Sequence, residues 1–190
     1  MSLLLCSCWT GFPVLYAPEL PTKAYPATGH AVKLFTSAQV FFKNRGKLGV
    51  FMLQISQKLV DSVVSHARKD HPDEACGVIA GPAGSDYPQR FIPMINAARS
   101  PTFYEFDSTD LLKLYRELDA NDEDPVVIYH SHTATEAYPS RTDVSYASEP
   151  FAHYVLVSTR ESGNEEGPYE FRSFRIVDGE ITEEEVVISD

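Results

Sequence analysis

The chain has 190 residues, 43% of them apolar, and its 27 acids outnumber its 16 Lys/Arg for a net charge of −11. That length supports one well-buried core, and the apolar and aromatic content excludes a disordered polymer. The charge is uneven: residues 1–51 carry Lys23, Lys33, Lys43, Arg45 and Lys47 against Glu19 alone, so the rest holds −15 and would repel a phosphate backbone, which argues against nucleic acid as a partner.

Residues 1–49 show neither helical nor strand periodicity over a useful length, and Pro13, Pro18, Pro21 and Pro26 punctuate them. The opening MSLLLCSCWTGFPVLYA has no basic n-region and is interrupted by Pro13, so it does not read as a signal peptide. No apolar run reaches the roughly 18 to 20 residues that a membrane span needs. Cys6, Cys8 and Cys76 are an odd number without framework spacing, which points to a reducing, cytoplasmic compartment. Residues 1–51 are therefore expected to be a poorly ordered N-terminal extension, and residues 52–190 one domain.

At Val50 the pattern changes. VFMLQIS reads as a strand, and SQKLVDSVVSHARKDHP as an amphipathic helix capped by Ser56, with Leu59, Val60, Val63, Val64 and Ala67 on one face. EACGVIAGP, RFIPMINAA and TFYEF read as three short strands. DSTDLLKLYRELDAND is a helix capped by Asp107 or Ser108, with Leu111, Leu112, Tyr115 and Leu118 expected inside. PVVIYHSH is a buried strand, SRTDVSYASE a short helix and AHYVLVSTR another strand. The tail YEFRSFRIVDGEITEEEVVI alternates and turns at Asp178-Gly179, a hairpin with Glu-rich outer positions. Strands interleaved with helices predict an α/β domain whose helices pack on a mixed sheet.

The chemistry gathers in HSHTATEAYPSRTD. His130 and His132 are two apart at a strand end, so both imidazoles point to one face while Ser131 points away. Asp143, near the start of a short helix, can bring a carboxylate to the same point. Two neutral imidazoles, one carboxylate and one open position make a catalytic rather than structural zinc site. Read singly, each residue has a plainer role: His-x-His as hydrogen-bonding strand residues, Asp143 as a helix N-terminal charge, Ser140 as an N-cap and Glu74 as a surface acid. Cys76 reads as a small buried residue, and His66, His71 and His153 as structural. Tyr129 and Tyr138 flank the motif as candidates to shape a cleft.

The spacing His-x-His, seven residues, Ser, two residues, Asp, with Glu74 upstream in HPDEACGVIAG, resembles the JAMM (MPN+) metalloprotease family over residues 52–190. The resemblance implies a three-layer α/β/α fold of the cytidine-deaminase-like type, with a mixed central sheet flanked by helices. It implies one zinc ion held by His130, His132 and Asp143. Glu74 would be the general base and Ser140 the hydrogen-bond donor to the oxyanion, a role worth about 3 kcal/mol in comparable sites. Thr133 stands where many members have proline, and Ile128-Tyr129 where many have Gly-Trp, which sets the chain apart from the eukaryotic deubiquitinase branch.

The surrounding sequence, from HPDEACGVIAGPAGSDYPQRFIPMINAARSPTFYEFDS through AHYVLVSTR to RSFRIVDGEITEEE, resembles the actinobacterial Mec-type branch. That implies a substrate of defined chemistry: a ubiquitin-like sulfur-carrier protein ending in Gly-Gly-Cys, cut at the Gly–Cys amide to release cysteine for cysteine biosynthesis. Rival readings are a broader isopeptidase acting on ubiquitin-like modifiers, a non-catalytic scaffold of the same fold, a DNA-linked RadC-like protein and a two-histidine, one-carboxylate iron oxygenase. An intact ligand set opposes the scaffold, the acidic body opposes the DNA link, and Glu74 with the His-x-His order favours hydrolysis. No membrane partner is expected, and the oligomeric state is not legible.

Overall fold

The computed structural model describes residues 52–190; the N-terminal extension expected over residues 1–51 lies outside the described residues. Strand β1 (Met52–Ser56) leads into helix α1 (Gln57–Asp70), followed by β2 (Cys76–Pro82), β3 (Arg90–Met94) and helix α2 (Ser108–Asn121). Then come β4 (Glu123–His132), the short helix α3 (Arg141–Tyr146), β5 (His153–Ser158), β6 (Glu170–Val177) and β7 (Glu180–Ser189). The seven strands form one sheet in the order β1-β7-β6-β5-β4-β2-β3. The β1–β7 and β4–β5 pairs are parallel and the rest antiparallel, so the sheet is mixed as expected.

Period-two alternation divides the sheet's side chains between two cores. Val127 and Tyr129 of β4 and Val155 and Val157 of β5 face α1, where Leu59, Val60, Val63, Val64 and Ala67 are buried as the helical spacing predicts. Ile128, Tyr154 and Leu156 face the other way, against Leu114 and Leu118 of α2. Fully burying side chains such as Val60 and Val63 is worth about 1.5 kcal/mol or more each, which locks α1 to its face of the sheet. The result is helix, sheet, helix, the three-layer arrangement. Ser56 caps α1 by accepting from Leu59 N–H, and Asp107 caps α2 by accepting from Thr109 and Asp110.

Four details differ from the sequence reading. TFYEF is not a strand: a single bridge joins Phe106 to Asn96, because the Asn96 side chain bonds the backbone groups of this segment that a ladder would use. β3 stops at Met94 for the same reason, with Pro93 tolerated because β3 is an edge strand. α2 is rotated from the expected face: Leu114 and Leu118 are buried, whereas Leu112 is 52% exposed and Tyr115 sits at the rim, its hydroxyl 2.6 Å from Glu149 Oε1. In the hairpin, the Asp178-Gly179 turn has positive φ at both residues, as the sequence requires. One of its glutamates, however, turns inward: Glu184 is buried against Arg175, Ser173 and His153.

Candidate metal centre

The parallel register of β4 with β5 and the antiparallel register with β2 bring His130 beside Cys76, and His132 beside Ser158, at one end of the sheet. His130 and His132 share a face and are both buried. α3 begins immediately across from them and presents Asp143 from its first turn. The His130 and His132 Nε2 atoms stand 3.2 Å apart. Asp143 places Oδ1 3.4 Å from His130 Nε2 and Oδ2 3.6 Å from His132 Nε2. Ligand atoms at tetrahedral angles with bonds of about 2.0–2.1 Å are about 3.3 Å apart. The three side chains therefore fit a zinc-sized ion, and among the described residues they are the group that converges as a possible ligand set.

Each side chain of this set is oriented from behind. The backbone carbonyl of Glu136 lies 2.7 Å from His132 Nδ1, so Nδ1 carries a proton and Nε2 is the nitrogen turned toward Asp143. Tyr104 stacks on the His130 ring at 4.5 Å between centroids. Ser140 and Asp143 form a reciprocal capping box: Ser140 N–H donates to Asp143 Oδ2 at 2.6 Å, and Asp143 N–H donates to Ser140 Oγ at 3.2 Å. The N-cap and metal-site readings of this pair are thus compatible in one geometry.

Charge follows position. Burial lowers the pKa of His130, which keeps its ring neutral as a ligand must be. Burial alone would raise Asp143, but hydrogen bonds with His130 and His132 hold its carboxyl well below the usual carboxylate range. Glu74, buried in the segment just before β2, feels both His132 and Asp143. Burial pushes its carboxyl up to about 7, with His132 opposing the rise and Asp143 adding to it.

The backbone around Glu74 is pinned from two sides. Its N–H donates to Ser100 O at 2.9 Å, and its carbonyl accepts from Asn96 Nδ2 at 3.0 Å. Ala75 N–H donates at 2.8 Å to the hydroxyl of Ser131, which points away from the face shared by His130 and His132 and ties the Glu74 segment to β4. Ser131, Asn96, Tyr104 and the Glu136 carbonyl escape a reading by motif. Only Ser131, between the two histidines, carries a signal, and its partner is not predictable from spacing. A cavity of about 410 Å³ adjoins Asp143, walled by Phe103, Tyr104, Leu111, Leu114 and Tyr146.

Other expectations resolve simply. Tyr129 does not shape the cleft: it lies on the α1 face, its hydroxyl 2.8 Å from His66 Nδ1. Tyr138 packs edge-on against Phe174 and is partly exposed. Cys76 is buried, and burial pushes its thiol up to about 12, the opposite of an activated nucleophile. His153 joins an ionic cluster with buried Glu184 and Arg175 and half-exposed Asp86.

The family model for prokaryotic homologs of the JAB domain matches residues 56–177. This chain belongs to that family. It is 64% identical over 137 residues to a CysO-cysteine peptidase of Mycobacterium tuberculosis, covering 72% of this chain and 91% of that protein. A desampylase of Haloferax volcanii is 32% identical over 131 residues, covering 65% of this chain and 94% of that protein. Among solved structures, one from Desulfitobacterium hafniense superposes with a TM-score of 0.63 at 28% identity, covering 73% of this chain and 93% of the other. No helix among the described residues of this JAB-family chain is long and apolar enough to cross a membrane.

Proposed function

We propose that this protein is a cytoplasmic zinc peptidase that hydrolyses the Gly–Cys amide at the C-terminus of a ubiquitin-like sulfur-carrier protein and releases cysteine. The observation that carries the reading is the convergence of His130, His132 and Asp143 at tetrahedral ligand spacing, with the raised carboxyl of Glu74 nearby. The substrate class rests on the likeness to a CysO-cysteine peptidase.

His130, His132 and Asp143 would hold one zinc ion per chain and leave one position open. Bound there, zinc supplies Lewis acidity that makes water a nucleophile near neutral pH. Glu74 takes a proton from the attacking water and passes it to the leaving amine of cysteine. Burial favours the protonated form of Glu74, which makes its carboxylate a better acceptor for the water proton, and the resulting acid can hand that proton to an amine. The Ser140 oxygen accepts Asp143 N–H through a lone pair, which leaves its own proton to donate to the oxyanion. The leaving residue is one cysteine, so recognition falls to the carrier's body and tail.

The desampylase likeness favours a second reading, a broader isopeptidase that removes ubiquitin-like modifiers from proteins. Zinc-loaded enzyme offered a carrier–cysteine adduct and a lysine-linked conjugate side by side separates the two. The proposal expects free cysteine, detected by mass, with the lysine conjugate largely intact; preferential cleavage of the conjugate favours the broader reading. We also propose that residues 52–190 form the peptidase domain alone, so a chain starting at Met52 is expected to fold with the thermal midpoint of the full chain. An unfolded product would refute that boundary.

A further inference from the structure

We infer that Asn96 is a positioning residue for this peptidase, a role that rests on the reading of Glu74 as its base. Asn96 lies just past β3 and is 5% exposed. A carboxamide offers two donors and two acceptor lone pairs, and all four are engaged. Nδ2 donates to the carbonyls of Glu74 and Phe103, both at 3.0 Å. Oδ1 accepts the N–H groups of Ala98 at 3.0 Å and Glu105 at 3.2 Å. Carbonyls surround Nδ2 and N–H groups surround Oδ1, so the amide's orientation is fixed by its partners.

The partners give the saturation its meaning. Asn96 holds the carbonyl of Glu74, while Ser100, four residues on in the same turn, accepts the Glu74 N–H. Both backbone polar groups of Glu74 are therefore set by one short loop. Phe103 and Glu105, its partners further along the loop, bracket Tyr104, whose ring stacks on His130. One buried side chain thus fixes the backbone that carries the base and the backbone that carries the ring packed on a metal ligand. The loop has no ladder of its own beyond a single bridge, so no regular secondary structure substitutes for the carboxamide.

The test is a pair of variants in the full-length, zinc-loaded protein, assayed on the carrier–cysteine adduct. Asn96→Ala removes these four bonds and the longer 3.5 Å contact of Nδ2 with Ser100 O. Asn96→Asp keeps the acceptors for Ala98 and Glu105, and so the turn, but loses the amide donor to Glu74. A misplacement of about 1 Å in a catalytic group costs on the order of 100-fold. Both variants should lose ~10- to 100-fold in kcat, with KM within about threefold and one zinc per chain retained. In a Glu74→Asp background, where the base is already displaced, Asn96→Ala should cost several-fold less than in the wild type.

A kcat within threefold of wild type overturns the inference, as does an equal loss in both backgrounds or a loss that tracks zinc content. If neither variant folds, the role is purely structural and the inference fails. A zinc-loaded wild type that releases no cysteine is a different failure: it removes the functional reading itself, before any variant is made.

Discussion

Replacing Glu74 by glutamine should stabilise the metal-free protein while abolishing turnover. Glu74 is buried and its carboxyl titrates near 7 rather than at the ordinary 4.5. A folded-state pKa above the unfolded value means the fold favours the neutral form. That stabilisation is complete below pH 4.5 and is lost as pH rises through 7. The interval corresponds to about 3 kcal/mol at 1.36 kcal/mol per pH unit. Glutamine mimics the neutral acid at every pH, so its advantage over wild type should be near zero at pH 4 and grow to about 3 kcal/mol by pH 8. Urea unfolding of chelator-treated wild type and Glu74→Gln reads the difference directly, as a midpoint gap on the order of 1.5 M at pH 8. Taking the gap between the two proteins cancels the titration of His130, His132 and Asp143 to first order. A gap that does not change with pH, or one that favours wild type at pH 8, refutes the argument that Glu74 is held in a site that disfavours its charge.

Ser131→Ala should cost about 1–3 kcal/mol, because it strands the buried Ala75 N–H; thermal melts check this, and an unchanged midpoint contradicts it. His153→Gln should destabilise more at pH 6 than at pH 9. Burial lowers the His153 pKa, but Asp86 and Glu184 outweigh burial and the nearby Arg175 and raise it, so its protonated form contributes below 6.5 and is lost as pH rises through the raised value. Equal destabilisation at both pH values would show that the imidazolium contributes nothing. His132→Ala should lose both zinc and turnover, whereas Glu74→Gln should keep zinc; metal content after dialysis tells them apart.

Much of the framework was legible because it rests on local chemistry. Ser56, the apolar stripe of α1 and the Asp178-Gly179 turn follow from capping, helical period and positive-φ preference, and each appears where expected. His130 and His132 share a face because strand side chains alternate, and the same alternation sends Tyr129 and Ser131 to the α1 side. Asp143 reaches them because Ser140 caps α3 and places Asp143 in its first turn.

What was not legible depends on partners distant in sequence. The rotation of α2 was hidden because Leu111, Leu112, Leu114 and Tyr115 are all apolar-faced, and only the Tyr115–Glu149 contact shows which side meets the rim. Glu184 looked like one more surface glutamate until Arg175 and His153 proved to face it. TFYEF had strand composition, but Asn96 claims its backbone groups. No spacing rule announces an asparagine acting 22 residues away on Glu74.

The central claim is metal-dependent release of cysteine at the His130–His132–Asp143 centre. The most direct test follows free cysteine by mass from a carrier–cysteine adduct, using one preparation before chelation, after chelation, and after one equivalent of zinc is restored. The account predicts activity, its loss, and its recovery. A chelated preparation, verified metal-free, that still releases cysteine at the original rate would contradict it.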